Sequence, residues 1–234
     1  MSGNPVPKRS DTVYQSLRRA IIEQALQPAM RLPEDTIGEQ FGVSRTIVRQ
    51  ALNRLQMEGL VETRPHHGAY VAKPTLEEAR DVFETRRCLE REVVRKLVER
   101  VSVSGLDALD AHIAQEDRVR DGPRRDGPRS IRLAGEFHVV MAELTGNKVL
   151  ARYVSEVVSR CSLILAIYSQ RHSSDCAVDE HRRIVQAIRD NDVAAAMQIM
   201  DAHLGAVEAR AALVEDPSPD LKTVLNRYTE ESAR

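Results

Sequence analysis

The chain has 234 residues, 42% hydrophobic and 29% charged, with 34 basic against 35 acidic side chains and a formal net charge of −1. That length allows one large domain or two smaller ones with a real apolar core, which excludes a disordered or collagen-like chain. No apolar run approaches the roughly 18 residues of a membrane span, and the first thirty residues lack the apolar core of a signal peptide, so a cytoplasmic protein with no membrane partner is expected. Residues 1–9 are a polar, Pro-containing stretch without periodicity, expected as a flexible tail. Ser10-Asp11-Thr12 offers N-cap material for a first helix carrying Tyr14, Leu17, Ile21 and Ile22, which ends before Pro28. Pro33 suits the first position of a second helix, with Glu34 and Asp35 in its first turn, Ile37 and Phe41 on its inner face, and Gly42 as its breaker. Ser44 caps a third, with Ile47, Val48, Ala51, Leu52 and Leu55 inward and Gly59 at its end. Leu60 to Thr63 and Ala69 to Val71, around the turn Arg64-Pro65-His66-His67-Gly68, read as a hairpin.

From Thr75 onward no strand is expected. A helix runs from Thr75 to about Arg100, and Ser104 is expected to cap another bearing Leu106, Leu109 and Ile113. DGPRRDGPR, residues 121–129, reads as a loop. Helices follow at about 130–145, 148–171, 178–190 and 192–214, and Leu221, Val224, Leu225 and Tyr228 mark a last amphipathic turn or a frayed tail. The expected fold is mainly α: a winged helix-turn-helix over 10–74, an antiparallel all-helical bundle over 75–214 for effector binding and dimerisation, and a C-terminal tail over 215–234.

The balanced charge hides a polarised chain: residues 1–74 hold 10 basic and 7 acidic side chains, whereas residues 75–234 hold 24 and 28. Aromatic residues are 3% and Trp is absent, which disfavours stacking of single strands but leaves duplex readout untouched. Helix, helix, Gly turn, helix, hairpin is the order of a winged helix-turn-helix. Arg45 and Arg49 share one face of the third helix, opposite Val48, Leu52 and Leu55, and arginine is the preferred bidentate reader of guanine O6/N7. Ser44, Thr46 and the helix's N-terminal amides can hold a phosphate, while Arg64, His66, His67 and Gly68 form the hairpin tip. Taken alone, two arginines on an exposed helix face are most often a solvated surface, and it is the ordered set of elements that favours DNA.

The segment FGVSRTIVRQAL (41–52), followed by NRLQMEGLVETRPHHGAYV, resembles the N-terminal domain of the GntR family of bacterial transcription regulators over about residues 11–73. The V-S-R-T-x-V-R core, the E-G-L-V exit and the G-x-Y-V wing carry the resemblance. It implies that Arg45, Thr46 and Arg49 read bases, that His66, His67 and Gly68 enter the minor groove, and that Arg31 and Ser44 lie near phosphates. Asp35 departs from the pattern, standing where the fatty-acid-responsive member has a basic DNA contact, so that contact does not carry over.

His138, His181 and His203 each lie on the apolar face of an expected helix, so three imidazoles from one bundle can converge on a divalent metal or stand apart as separately satisfied core residues. Cys88, Cys161 and Cys176 form no C-x-x-C pair, against a disulfide framework or a zinc ribbon. EFHVVMAELTGN (136–147), EHRRIVQAIRDND (180–192) and MDAHL (200–204) resemble the FCD-type ligand domain of the FadR subfamily over most of 78–212. There, three histidines and an aspartate bind a metal beneath an effector pocket. The aspartate position is here Ala134, and Glu136, two residues from His138, projects elsewhere. The resemblance therefore implies either a three-histidine site for zinc or nickel, completed by water or effector, or a pocket that has lost its metal.

Arg86, in ETRRCLE (84–90), occupies the family's E-x-R-R-x-L-E position and implies a carboxylate effector; a salt bridge to Glu90 one turn on is the alternative. The expected protein is a homodimeric transcription regulator, a repressor in the family's commoner mode, binding a short inverted repeat of double-stranded DNA and released by a small carboxylate metabolite. The alternatives are a regulator that senses the metal itself and a metal-dependent enzyme. No general base at fixed spacing, nucleophile motif or Gly-rich phosphate loop supports the enzyme.

Overall fold

The computed structural model describes residues 9–121, 127–168 and 175–211. The expected tails, apart from Arg9, and the centre of the 121–129 segment lie outside the described residues, as do the side chain of Cys176 and the amphipathic stretch 221–228.

The N-terminal unit comprises α1 (Arg9–Ile22), α2 (Glu34–Phe41), α3 (Arg45–Met57), β1 (Val61–Arg64) and β2 (Gly68–Val71). Val13, Tyr14, Leu17 and Ile21 of α1 pack on Val48, Ala51, Leu52 and Leu55 of α3, the two apolar stripes that helical periodicity produces. α1 is already helical at Arg9, so Ser10, Asp11 and Thr12 lie within the helix instead of capping it. Pro33 is the N-cap of α2 instead of its first helical residue, so the helix starts at Glu34, one residue later than expected. Gly42 closes α2 in the left-handed conformation, at φ 61°, which turns the chain into α3.

β1 and β2 pair antiparallel, Val61 opposite Val71 and Arg64 opposite Gly68. Sequence patterning missed a third member of this small sheet. Leu32 N donates to Ala69 O at 2.8 Å and Val71 N to Met30 O at 2.9 Å, so the segment joining α1 to α2 braces the wing and sets Arg31 opposite Tyr70.

Among the described residues six helices follow: α4 (Leu76–Arg100), α5 (Val103–Arg120), α6 (Gly127–Leu144), α7 (Lys148–Tyr168), α8 (Asp175–Arg189) and α9 (Val193–Arg210). α4 opens with a capping box between Thr75 and Glu78 and packs on α7 and α9, while α5 lies between α6 and α8. Three boundaries differ from expectation. Ser102, not Ser104, caps α5, its hydroxyl accepting from Gly105 N at 3.1 Å. α6 is already helical at Gly127, inside the expected loop, and includes Pro128. α8 starts at Asp175, earlier than 178. No helix among the described residues is long and apolar enough to cross a membrane.

The two units are docked. Leu163 of α7 is fully buried in the N-terminal core. Arg18 of α1 donates to Ser155 Oγ at 3.2 Å and Ser159 Oγ at 2.5 Å on α7, and Arg132 of α6 to Glu23, the residue after α1, at 2.8 Å. Gly59, at φ 71°, follows α3 where a Cβ would stand 2.8 Å from Arg160 Nε, so both backbone conformation and docking call for glycine. Tyr168 Oη donates to Pro74 O at 2.9 Å and fastens the joint between the units.

Candidate functional site

Two surfaces carry the polar chemistry, one outside and one inside. On α3, Val48 and Leu52 face the core while Arg45, Thr46 and Arg49 face solvent, as the four-residue spacing requires. Ser44 is the exposed N-cap, yet its hydroxyl makes no capping hydrogen bond. His66, His67 and Gly68 are exposed at the hairpin tip, with His66 at φ 61°. Arg31 is exposed and has no ionic partner among the described residues. Arg45 and Arg49 do have partners. Arg49 makes a two-pronged contact with Glu34, Nε to Oε1 at 3.0 Å and Nη2 to Oε2 at 2.7 Å, and Arg45 pairs with Asp35.

The inner site lies in the helical domain. His138 on α6, His181 on α8 and His203 on α9 are 2%, 0% and 2% exposed, and their ligand atoms all lie within 4.8 Å of one another. The three imidazoles therefore converge instead of standing apart. Nε2 of His138 and Nε2 of His203 are 3.2 Å apart. Each Nδ1 meets a carboxylate: His138 with Glu90 at 2.5 Å, His181 with Glu116 at 3.0 Å, His203 with Glu180 at 2.6 Å. An ionised carboxylate on Nδ1, as at His138 and His203, fixes that nitrogen as the donor and leaves the Nε2 lone pair free, the arrangement seen behind metal-bound histidines. Nε2 of His181 is buried without any hydrogen-bond partner, an orphan that a cation in front of the ring would satisfy.

Electrostatics support this donor set. Burial pushes His138 and His181 well below the usual imidazole range, so both are neutral at pH 7, as ligation requires. Glu90 is buried, which works against its charge, but the Arg86 guanidinium and His138 hold it below the usual carboxylate range. The hydrogen bond from His203 lowers Glu180. Glu116 differs: burial pushes it up to about 8, because the opposing pull of His112 is weaker than its desolvation, so at pH 7 it is mostly protonated and becomes the carboxylate partner of His181 only on losing that proton. Phe137 stacks on His181 with ring centroids 4.0 Å apart and closes one side of the centre.

Arg86 answers both sequence expectations: its Nε donates to Glu90 at 2.6 Å, and it lines a cavity of about 80 Å³ that also reaches the three histidines, Ser162 and Arg210. Ala134 lines the same cavity one turn before His138 and offers no ligand atom. Glu136 turns away and accepts from Arg132 at 2.7 Å. Among the described residues, no fourth protein ligand joins the three imidazoles. Glu116 and Glu180 escaped sequence reading, and Glu90 was read as a partner of Arg86 but not of His138. Glu180 had a signal, being adjacent to His181, but it serves His203; Glu116, 65 residues from its partner, had none.

A winged helix-turn-helix fastened to a helical domain with a buried histidine cluster is the architecture of a DNA-binding regulator. The chain belongs to the GntR family of bacterial regulatory proteins: that family matches residues 9–71, and the FCD domain matches residues 81–206. It is a DNA-binding transcriptional regulator of the GntR/FCD type, a family of regulators and not of enzymes. Among its relatives, the regulator LutR of Bacillus subtilis is 29% identical over 78% of this chain and 92% of its own. The repressor RspR of Escherichia coli is 22% identical over 93% and 95%. Of the solved structures, E. coli McbR/YncC superposes with a TM-score of 0.78 at 17% identity, covering 88% of this chain and 98% of that one. A GntR regulator from Rhodococcus sp. RHA1 gives 0.74 at 23%, covering 87% and 97%.

Proposed function

We propose that this chain is a cytoplasmic, homodimeric repressor of the FadR subfamily that binds a short inverted repeat and releases it when a small carboxylate enters the helical domain. In this reading Arg45, Thr46 and Arg49 contact bases, Arg31 and Ser44 phosphates, and His66, His67 and Gly68 the minor groove. His138, His181 and His203 hold zinc or nickel, both suited to imidazole. Such an ion supplies an electrophilic anchor for a carboxylate oxygen at the position that Ala134 leaves open. Arg86 and Arg210 offer guanidinium groups to the rest of the ligand. The observation that carries the reading is the orphaned, buried Nε2 of His181 beside two further imidazoles, each anchored through Nδ1 and opening on a cavity with a buried arginine.

Coupling to DNA follows from the packing. α6 and α7 wall the cavity with Ala134 and Ser162, and through Arg132, Ser159 and Leu163 the same helices hold α1 and the N-terminal core. A ligand that shifts these helices re-aims the winged helix, by no more free energy than its affinity differs between the two arrangements. The name of RspR, a repressor, supports repression.

The test combines elemental analysis of tag-free protein with thermal shift and DNA release. Zinc or nickel at about one equivalent, together with a rise in melting temperature when acetate, succinate or citrate is added, is the expected result. Well under one equivalent refutes the metal assignment. DNA affinity that follows zinc or nickel alone, unchanged by any carboxylate, instead identifies the ion as the signal.

A further inference from the structure

We propose that Glu34 and Asp35, in the first turn of α2, are positioning residues that aim Arg49 and Arg45 at guanine and penalise binding to unselected DNA. The inference rests on the DNA-reading role of α3 and goes beyond it, because neither acid touches DNA in that role. Two successive acids on one helix meet two arginines one turn apart on the next: Glu34 with Arg49, Asp35 with Arg45. Acids in a first turn have a common explanation in the helix dipole. The dipole does not require Glu34 to grip a guanidinium 15 residues away through two nearly parallel hydrogen bonds of 3.0 and 2.7 Å.

The geometry has a chemical consequence. With its Nε and one face of Nη2 engaged by Glu34, Arg49 keeps its outer edge, Nη1–H and the second Nη2–H, as a fixed pair of parallel donors. That pair matches guanine O6 and N7 and no other base edge in the major groove. The carboxylate also removes the freedom of the long side chain to swing onto a phosphate, the contact that every sequence offers. Negative charge beside the reading helix further lowers attraction to DNA of any sequence, an element that works against the wrong partner. Arg31, exposed and without an ionic partner among the described residues, has the opposite character and suits a phosphate.

The test starts from duplexes selected by the wild-type protein out of a random pool. Its affinity is then measured for the selected duplex, for the same duplex with each guanine replaced in turn, and for unselected DNA, over a range of salt. Glu34→Gln and Asp35→Asn are expected to bind unselected DNA several-fold more tightly, to show a steeper salt dependence, and to lose about tenfold in discrimination at one guanine each. Glu34→Asp is expected to restore part of that discrimination. Both acids are solvent-accessible, and a thermal melt equal to wild type shows that the variants fold. Unchanged discrimination and salt slope in Glu34→Gln and Asp35→Asn overturn the proposal and leave the DNA reading intact. A wild-type protein that enriches no duplex overturns the DNA reading itself, and the inference with it.

Discussion

The reading face of α3 and the histidine centre use the same materials, arginines and carboxylates in close pairs, under opposite solvation. The side chains of Arg49 on α3 and Glu34 on α2 remain 61% and 31% exposed. In the sensor those of Arg86 and Glu90 are 5% and 2% exposed. An exposed pair contributes about 0–1 kcal/mol and is easily exchanged, which is what a surface that must trade its partner for a nucleic acid needs. A buried pair is costly to break, because the survivor keeps a charge that water cannot reach. The outer face is therefore built for exchange and the inner one for fixed geometry.

The comparison is broken most severely by Glu90→Ala. It strands the buried Arg86 and frees Nδ1 of His138, and it is expected to destabilise the fold by about 3–5 kcal/mol in urea unfolding. Leu163→Ala removes the helical domain's contribution to the N-terminal core, for about 2–5 kcal/mol, and loosens the docking between the units while leaving the histidines in place. Zinc binding followed by calorimetry separates these two: weakened in Glu90→Ala, retained in Leu163→Ala. Arg49→Ala is expected to cost about 1–3 kcal/mol at a selected duplex with no change in melting temperature. Arg91→Ala removes an exposed partner of Asp201 and is expected to change stability by less than about 1 kcal/mol. A larger effect there, or a small one for Glu90→Ala, contradicts the solvation argument.

Glu116→Gln sharpens the comparison on the metal side. It keeps the size of the group behind His181 but removes its ability to become a carboxylate, and zinc affinity is expected to fall about 10–100-fold. Affinity equal to wild type would leave Glu116 a filler of the core.

Much of the outer face was legible because its determinants are local. Arg45 and Arg49 share a face through a four-residue spacing, Gly42 turns the chain at φ 61°, and the wing follows from two β-prone runs around Pro65 and Gly68. The partners of those arginines were less legible. Glu34 and Asp35 read as ordinary first-turn acids, and only the crossing of α2 and α3 sets them against Arg49 and Arg45. In the helical domain, period 3.6 gave the helices and the inward histidines. The misplaced boundaries at Ser102 and Gly127 arose where two serines, or a Pro and a Gly, offered competing local starts.

The sequence by itself determined two units with opposite charge, the helix order, the exposed arginines, and three histidines on apolar faces, because each depends on residues within about one turn of one another. Only the tertiary structure decided that His138, His181 and His203 meet, that Glu90, Glu116 and Glu180 stand behind them, and that Leu163 and Arg18 tie the sensor to the reading head. Apart from those within a single helix, such contacts join separate elements, several of them across 48 to 141 residues of chain. Packing places those elements at angles and depths that no local spacing encodes.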